Sequence, residues 1–245
     1  MELKEQQGKY NSTVNVIGGV PDYMSMIDFI NCECGCTSSD AFSFRTAKAT
    51  SRFKKAVVDA FISFESDKHK DLFLKALNSD EFSNEEKMIV MFWQFLYCNS
   101  LFVEITDNVF LRALYSGRTS ISASDVEAYI KHLKVQSSDD INWSDSTIKT
   151  TASKYLTVLK KFGFADGKVQ KTICAPHISS SLFIYLVKFA LAAYPENTTL
   201  DNPMFRFAFL DKQSIINRLK TIEYIPIWDI AQIGNEVTIT LKQYE

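Results

Sequence analysis

Apolar residues recur at helical spacing along most of this chain. Phe53, Val57, Ala60, Phe61 and Phe64 fall at i, i+4, i+7, i+8 and i+11 and predict one buried face of a helix over residues 44–64. Ile148, Ala152, Tyr155, Leu159 and Phe162 repeat the pattern, with Ser144 or Ser146 placed to cap the helix start. Residues 88–114 are apolar nearly all round, which predicts the central core; Trp93, Phe95 and Phe102 there are packing residues. The spacing also predicts helices over 22–31, 68–77 and 179–194, and one opening at Ser122-Ala-Ser-Asp125 with Val126, Tyr129, Ile130 and Leu133 inside. Ser83 and Glu86 have the spacing of a capping box. Residues 1–12 read as a frayed polar start. Residues 14–20 form a short apolar stretch ending in Gly18-Gly19 before Pro21.

Two places break the helical rhythm. After the helix ending near Phe162, Gly163 suits the residue that turns the chain and Phe164 re-enters the core. Ala165-Asp166-Gly167 is a turn, 168–173 a short strand, and Pro176 stops it. Residues 143–175 therefore read as the recognition helix and wing of a winged helix-turn-helix. A polar link over 136–142 precedes it. Near the C-terminus a helix over 212–224, with Ile215, Leu219 and Ile222 inside, leads to an extended run over 225–233. Gly234-Asn235 then makes a two-residue hairpin turn, and residues 236–242 alternate with Val237, Ile239 and Leu241 on one face. This is a second wing-like element. The expected fold is mainly α, a helical bundle with winged helix-turn-helix elements and a short C-terminal β-hairpin. Three segments are expected: residues 1–120 with the basic helix, a winged-helix segment over 121–178, and C-terminal helices with a wing-like hairpin over 179–245.

Composition agrees with long helices: 19 Phe against 8 Gly and 5 Pro in 245 residues. The formal net charge of −2 does not announce a polyanion binder, so such a function has to come from local clustering. The N-terminus is polar, without a secretory pattern, and the longest apolar runs, 88–98 and 182–194, fall short of the roughly 18 residues that span a bilayer. A soluble, cytoplasmic protein without a membrane partner is expected. Cys32, Cys34 and Cys36 lack the paired spacing of a zinc site, and His69, His132 and His177 are scattered, so free thiols and no metal or cofactor are expected.

Charge placement supplies the candidate chemistry. Between Ser144 and Lys171 stand six lysines, Lys149, Lys154, Lys160, Lys161, Lys168 and Lys171, against Asp145 and Asp166. Ser146, Thr147, Lys149, Thr150, Ser153 and Lys154 share the exposed face near the helix start. Small hydroxyls can bond phosphates or base edges there, lysines neutralise phosphate, and Lys168 and Lys171 of the wing would follow the flanking backbone. Solvated lysines, or a winged helix used for protein docking, explain the same segment. A second stripe, Arg45, Lys48, Arg52 and Lys55, recurs at i, i+3, i+7 and i+10 with no acid between. Such a stripe repels itself by about a few tenths of a kcal/mol per adjacent pair, which a polyanion or acidic partner would relieve. No phosphate-loop, dinucleotide, zinc-protease or nucleophile-elbow motif is present, so no enzyme is expected.

The chain also resembles the BrxA family of BREX bacteriophage-resistance systems. The resemblance is carried by Tyr10 with Ile17-Gly18-Gly19, by Arg45-Thr46 with Ser51-Arg52, by the apolar 88–114 core and by Asp125. It is most specific in Ser146-Thr147 followed by Leu156, Leu159-Lys160-Lys161-Phe162-Gly163-Phe164. It implies a helical protein of the shape of the NusB antitermination factor that binds double-stranded DNA and catalyses nothing itself. Such a protein would work beside a methyltransferase, an ATPase and a phosphatase-like component. A protein-docking scaffold for an acidic partner, or a NusB-like RNA binder, are the alternatives. The family's former inner-membrane label is contradicted by the short apolar runs. Lysines and hydroxyls outnumber base-reading side chains, so low sequence specificity is expected.

Overall fold

In the computed structural model, which describes residues 10–38, 42–136, 140–234 and 236–242, the chain is mainly helical with two small sheets. Of the fray expected over residues 1–12, residues 1–9 lie outside the described residues, as do part of the polar link (137–139) and the turn residue Asn235; Tyr10 is buried and Asn11 accepts from the Asn99 carboxamide at 2.7 Å, so that end of the segment is held. α1 (Thr13–Ile17) and α2 (Met24–Glu33) precede α3 (Ala47–Phe61). Thr46 caps α3 by accepting from the Ala49 amide, so the helix starts after Arg45. It stops at Phe61, where the buried amide of Gln94 donates to the carbonyls of Phe61 and Ser63 at 3.0 and 2.9 Å. Ser66 caps α4 (Asp67–Asn78). The Ser83–Glu86 capping box has both of its bonds and opens α5 (Asn84–Cys98).

The all-round apolar stretch is not one helix. α5 breaks at Asn99, whose carboxamide caps α6 (Ser100–Ile105) by accepting from Phe102 at 2.8 Å. A wide π turn (Thr106–Leu111) and α7 (Arg112–Tyr115) complete the second arm, bent from α5 by 111°. Among the described residues no single helix is long and apolar enough to cross a membrane; this bent pair reaches the length only together.

β1 (Ser120–Ile121) leads to α8 (Ala123–Gln136), whose start is fixed by Ser122 and Asp125. The Asp125 carboxylate accepts from the Ser122 amide and hydroxyl at 2.8 and 2.6 Å. α9 (Asp145–Lys161) is capped by Ser144. It ends in the predicted glycine turn: with Gly163 at φ 86°, the amides of Gly163 and Phe164 close back on the carbonyls of Lys160 and Leu159. β2 (Ala165–Asp166) and β3 (Lys171–Ile173) follow, so the wing strand is shorter than the expected 168–173. α10 (Ser180–Ala193), a 3₁₀ turn (Pro203–Phe207), α11 (Lys212–Leu219), a 3₁₀ turn (Ile222–Tyr224), β4 (Trp228–Ile233) and β5 (Glu236–Leu241) complete the chain. Ile222, expected inside, is 80% exposed. The helix ends at Leu219, and Tyr224 and Trp228 are buried in its stead. The indole N–H of Trp228 donates to the Leu219 carbonyl at 2.9 Å.

These elements form two units. The first joins Met1–Ser63 to Ser83–Pro176. Its centre is a ring cluster in which Phe164 and Phe162, on either side of the glycine turn, contact Phe92 at 4.4 and 5.8 Å. Phe102 stacks on Phe95 at 4.4 Å and meets Tyr155, whose hydroxyl bonds Thr106. β3 lies between β1 and β2, all antiparallel, beside α8 and α9. The second unit joins Phe64–Phe82 to His177–Glu245. There α4 packs on α10, with the buried His69 ring edge-on to Phe189 at 4.9 Å. β4 and β5 pair from Trp228–Leu241 to Ile233–Glu236, the register of a two-residue turn. A bridge from Thr199 to Thr238 covers the outer edge of β5.

Candidate nucleic-acid interface

Both basic helices belong to the first unit, and α1 touches both. The Gly18-Gly19 turn makes that possible. A Cβ on Gly18 would lie 2.9 Å from the Lys154 carbonyl oxygen of α9, and one on Gly19 would lie 3.4 Å from the Phe53 ring of α3. Glycine lets two helices approach one short element without a side chain between them.

On α3 the inner face is Ala56, Val57, Ala60 and Phe61, all buried, with Phe53 half-buried against Phe44 at 4.3 Å. Arg45, just before the helix, and Lys48, Arg52 and Lys55 along it are all exposed. None of the four makes an ion pair among the described residues. Their neighbour Lys54 turns away, its amine 5.2 Å from the centre of the Phe29 ring. A shallow groove lined by Phe29, Glu33, Phe44, Ser51 and Lys55 runs beside this stripe. Nothing periodic in the sequence pairs Phe29 with Phe44, so the groove is visible only once α2 and α3 are packed.

On α9 the hydroxyls cluster at the start. Ser144 Oγ lies 3.2 Å from Ser146 Oγ and 3.0 Å from Thr147 Oγ1 and accepts from the Thr147 amide. Ser146 and Thr150 are exposed and Thr147 half-buried. The Thr150 hydroxyl donates to the Ser146 carbonyl, leaving its oxygen able to accept.

The six lysines divide into two groups. Lys149 and Lys168 are exposed, with no ion pair among the described residues, and Lys154 is half-buried beside Gly18. The other three serve the fold. Lys160 bonds Asp166 at 2.7 Å and reaches the Gly167 carbonyl at 3.3 Å. That hydrogen bond holds the Asp166 carboxyl below the usual range. Lys161 donates to the carbonyls of Val20 and Gly18 and lies over the Tyr23 ring. Burial, then the charge of Lys154, lowers its pKa. Lys171 lies differently from the other wing lysine. It is 8% exposed, and its amine donates to the Gly167 and Lys168 carbonyls at 2.6 and 2.9 Å. Two of its three amine donors are thus taken by its own wing loop, which leaves Lys171 less to offer a phosphate than Lys149 or Lys168. The loop requires glycine at its turn: Gly167 sits at φ 108°, and a Cβ there would meet the Gln170 carbonyl oxygen at 2.5 Å. Its tip, Val169, is 90% exposed.

Cys32 and Cys34 are half-buried and Cys36 is exposed; among the described residues no three His, Cys, Asp or Glu side chains come together as metal ligands. No curated protein matches the chain. The sequence model of the BrxA family matches residues 40–189, which take in the α3 stripe, the bent core and the α8–α9 segment with its sheet. The chain belongs to the BrxA family, a component of BREX phage-defence systems.

Proposed function

We propose that this protein is a non-enzymatic, double-stranded DNA-binding component of its defence system. It holds the duplex mainly through backbone contacts, with low sequence specificity. The observation that carries this reading is the pairing of a free basic stripe with a particular topology. Two helices followed by a hairpin, with a strand from before the first helix added in the order β1-β3-β2, have the plan of a winged helix. In that reading α9 is the recognition helix and the 165–173 loop the wing. Lys149, Lys154 and Lys168 with Ser146, Thr147 and Thr150 meet the duplex there, and Arg45, Lys48, Arg52 and Lys55 add phosphate contacts. Lysines and hydroxyls at these positions favour backbone over bases. The DNA-bound protein would act beside the methyltransferase, ATPase and phosphatase-like components.

Anisotropy titrations of a duplex over a salt series test this. Log K is expected to fall with log salt by about 0.9 per phosphate contacted. Arg45→Glu with Arg52→Glu, and separately Lys149→Glu with Lys168→Glu, should weaken binding on all sequences alike and flatten that slope. Unchanged affinity in both double variants overturns the assignment. Tighter binding of competing RNA than of duplex DNA would favour the NusB-like RNA reading. Loss of complex assembly in these variants with DNA binding intact would favour the docking scaffold.

A further inference from the structure

The second unit also contains a helix followed by a hairpin, α11 and β4–β5, with a 3₁₀ turn between them. In α9, the late-helix residue Lys160 ties to the hairpin at Asp166. After α11, Lys220 at the helix end ties to the hairpin at Gln232. α11 is anchored from below by buried Ile215 and Leu219, by Arg218 over the Phe183 ring at 4.6 Å and by Trp228 on the Leu219 carbonyl. That anchoring leaves Gln213, Asn217 and Lys220, spaced i, i+4 and i+7, on the opposite face, all three exposed.

The chemistry of that face differs from α9. Gln213 Nε2 donates to Asn217 Oδ1 at 2.8 Å. The bond uses one N–H of Gln213 and one lone pair of Asn217, so each carboxamide keeps a donor and an acceptor; exchanging donor and acceptor within the pair leaves the same complement. The donor and acceptor of one such carboxamide match the N7 acceptor and N6 donor of adenine in the major groove. Residues 211–242 carry four acids and four bases, so the segment adds no net charge. That balance suits reading base edges more than holding phosphates. Lys212, exposed at the helix start, lies 4.0 Å from Asp201, and Lys220 bonds Gln232, so the lysines beside the pair already have partners. Ile233 stands 83% exposed at the hairpin tip, as Val169 does on the first wing.

We infer that Gln213 and Asn217 on α11 form a second, base-reading DNA contact that gives the protein a modest preference for adenine-containing major-groove sites. This rests on the duplex-binding reading above, and the two fail differently. The experiment is enrichment from a randomised duplex library, with the full-length protein and with Gln213→Ala plus Asn217→Ala. The wild type is expected to enrich adenine at a fixed position by about tenfold, the size of one bidentate base contact. The double variant, checked for unchanged melting, should bind with the same salt slope and lose the enrichment. Duplex binding by the wild type without enrichment, or the same enriched sites from the double variant, overturns this inference and leaves the backbone reading standing. No duplex binding by the wild type overturns both.

Discussion

Lys168 and Lys171 stand three residues apart with opposite fates. Lys168 is exposed, whereas Lys171 is enclosed by the loop carbonyls that Lys168 and Gly167 provide. In the duplex-binding reading, Lys168→Ala should lower the salt slope by about 1. Lys171→Met should leave the slope unchanged while lowering the melting temperature, because two charge-assisted bonds to the loop are lost. Equal slope losses in both variants would mean that Lys171 reaches phosphate after all. Gly167→Ala forces a side chain into left-handed backbone and onto the Gln170 carbonyl. Denaturant unfolding should show a loss of about 1–3 kcal/mol. The local sequence shows six lysines of equal standing. It does not show that Lys161 meets carbonyls more than 140 residues earlier in the chain, and periodicity has no term for such a contact.

Elements with strong local signals were legible. The Ser83–Glu86 box, the glycine turn at Gly163 and the two-residue hairpin register all follow from residues within a few positions of each other. Where a distant partner decides, the reading overshoots the helix end, by three residues at α3 and five at α11. Gln94 ends α3 at Phe61, and Trp228 takes the carbonyl that ends α11, so Ile222 is turned out. The start of α8 offers a test in solution. Burial raises the Asp125 carboxyl, but bonds from the Ser122 hydroxyl and amide and from Arg118 outweigh it, so its pKa is lowered. A carboxyl depressed in the folded state stabilises it fully above the unfolded value of about 3.9 and progressively less as pH falls through the lowered one. Amide protection factors in the first turn of α8, corrected for the intrinsic pH dependence of exchange, should therefore be flat from neutrality to about pH 5 and fall below the ordinary carboxylate range. Asp125→Asn should remove that acid-side step. A step that persists in this variant would assign it to another group.

Across the whole molecule, the family match ends at residue 189, so α11 and the hairpin lie outside it. The two wing-like elements thus stand on different ground. The first lies within the family match, while the second rests on its own geometry.

The interleaving of the two units has a consequence for how the chain is made. α4 is completed about 100 residues before α10 begins. At a synthesis rate of about 5–20 residues per second, the apolar face with Phe73, Leu74 and Leu77 waits roughly 5 to 20 seconds for its partner. Meanwhile the segments on either side of it can already condense into the first unit. A nascent chain stalled after Pro176 should therefore carry α4 as an unsatisfied, chaperone-binding loop. Crosslinking to a ribosome-associated chaperone should be strong at that length and fall once α10 has emerged. Phe73→Ser, which removes the sticky face, should weaken the crosslink at the stalled length.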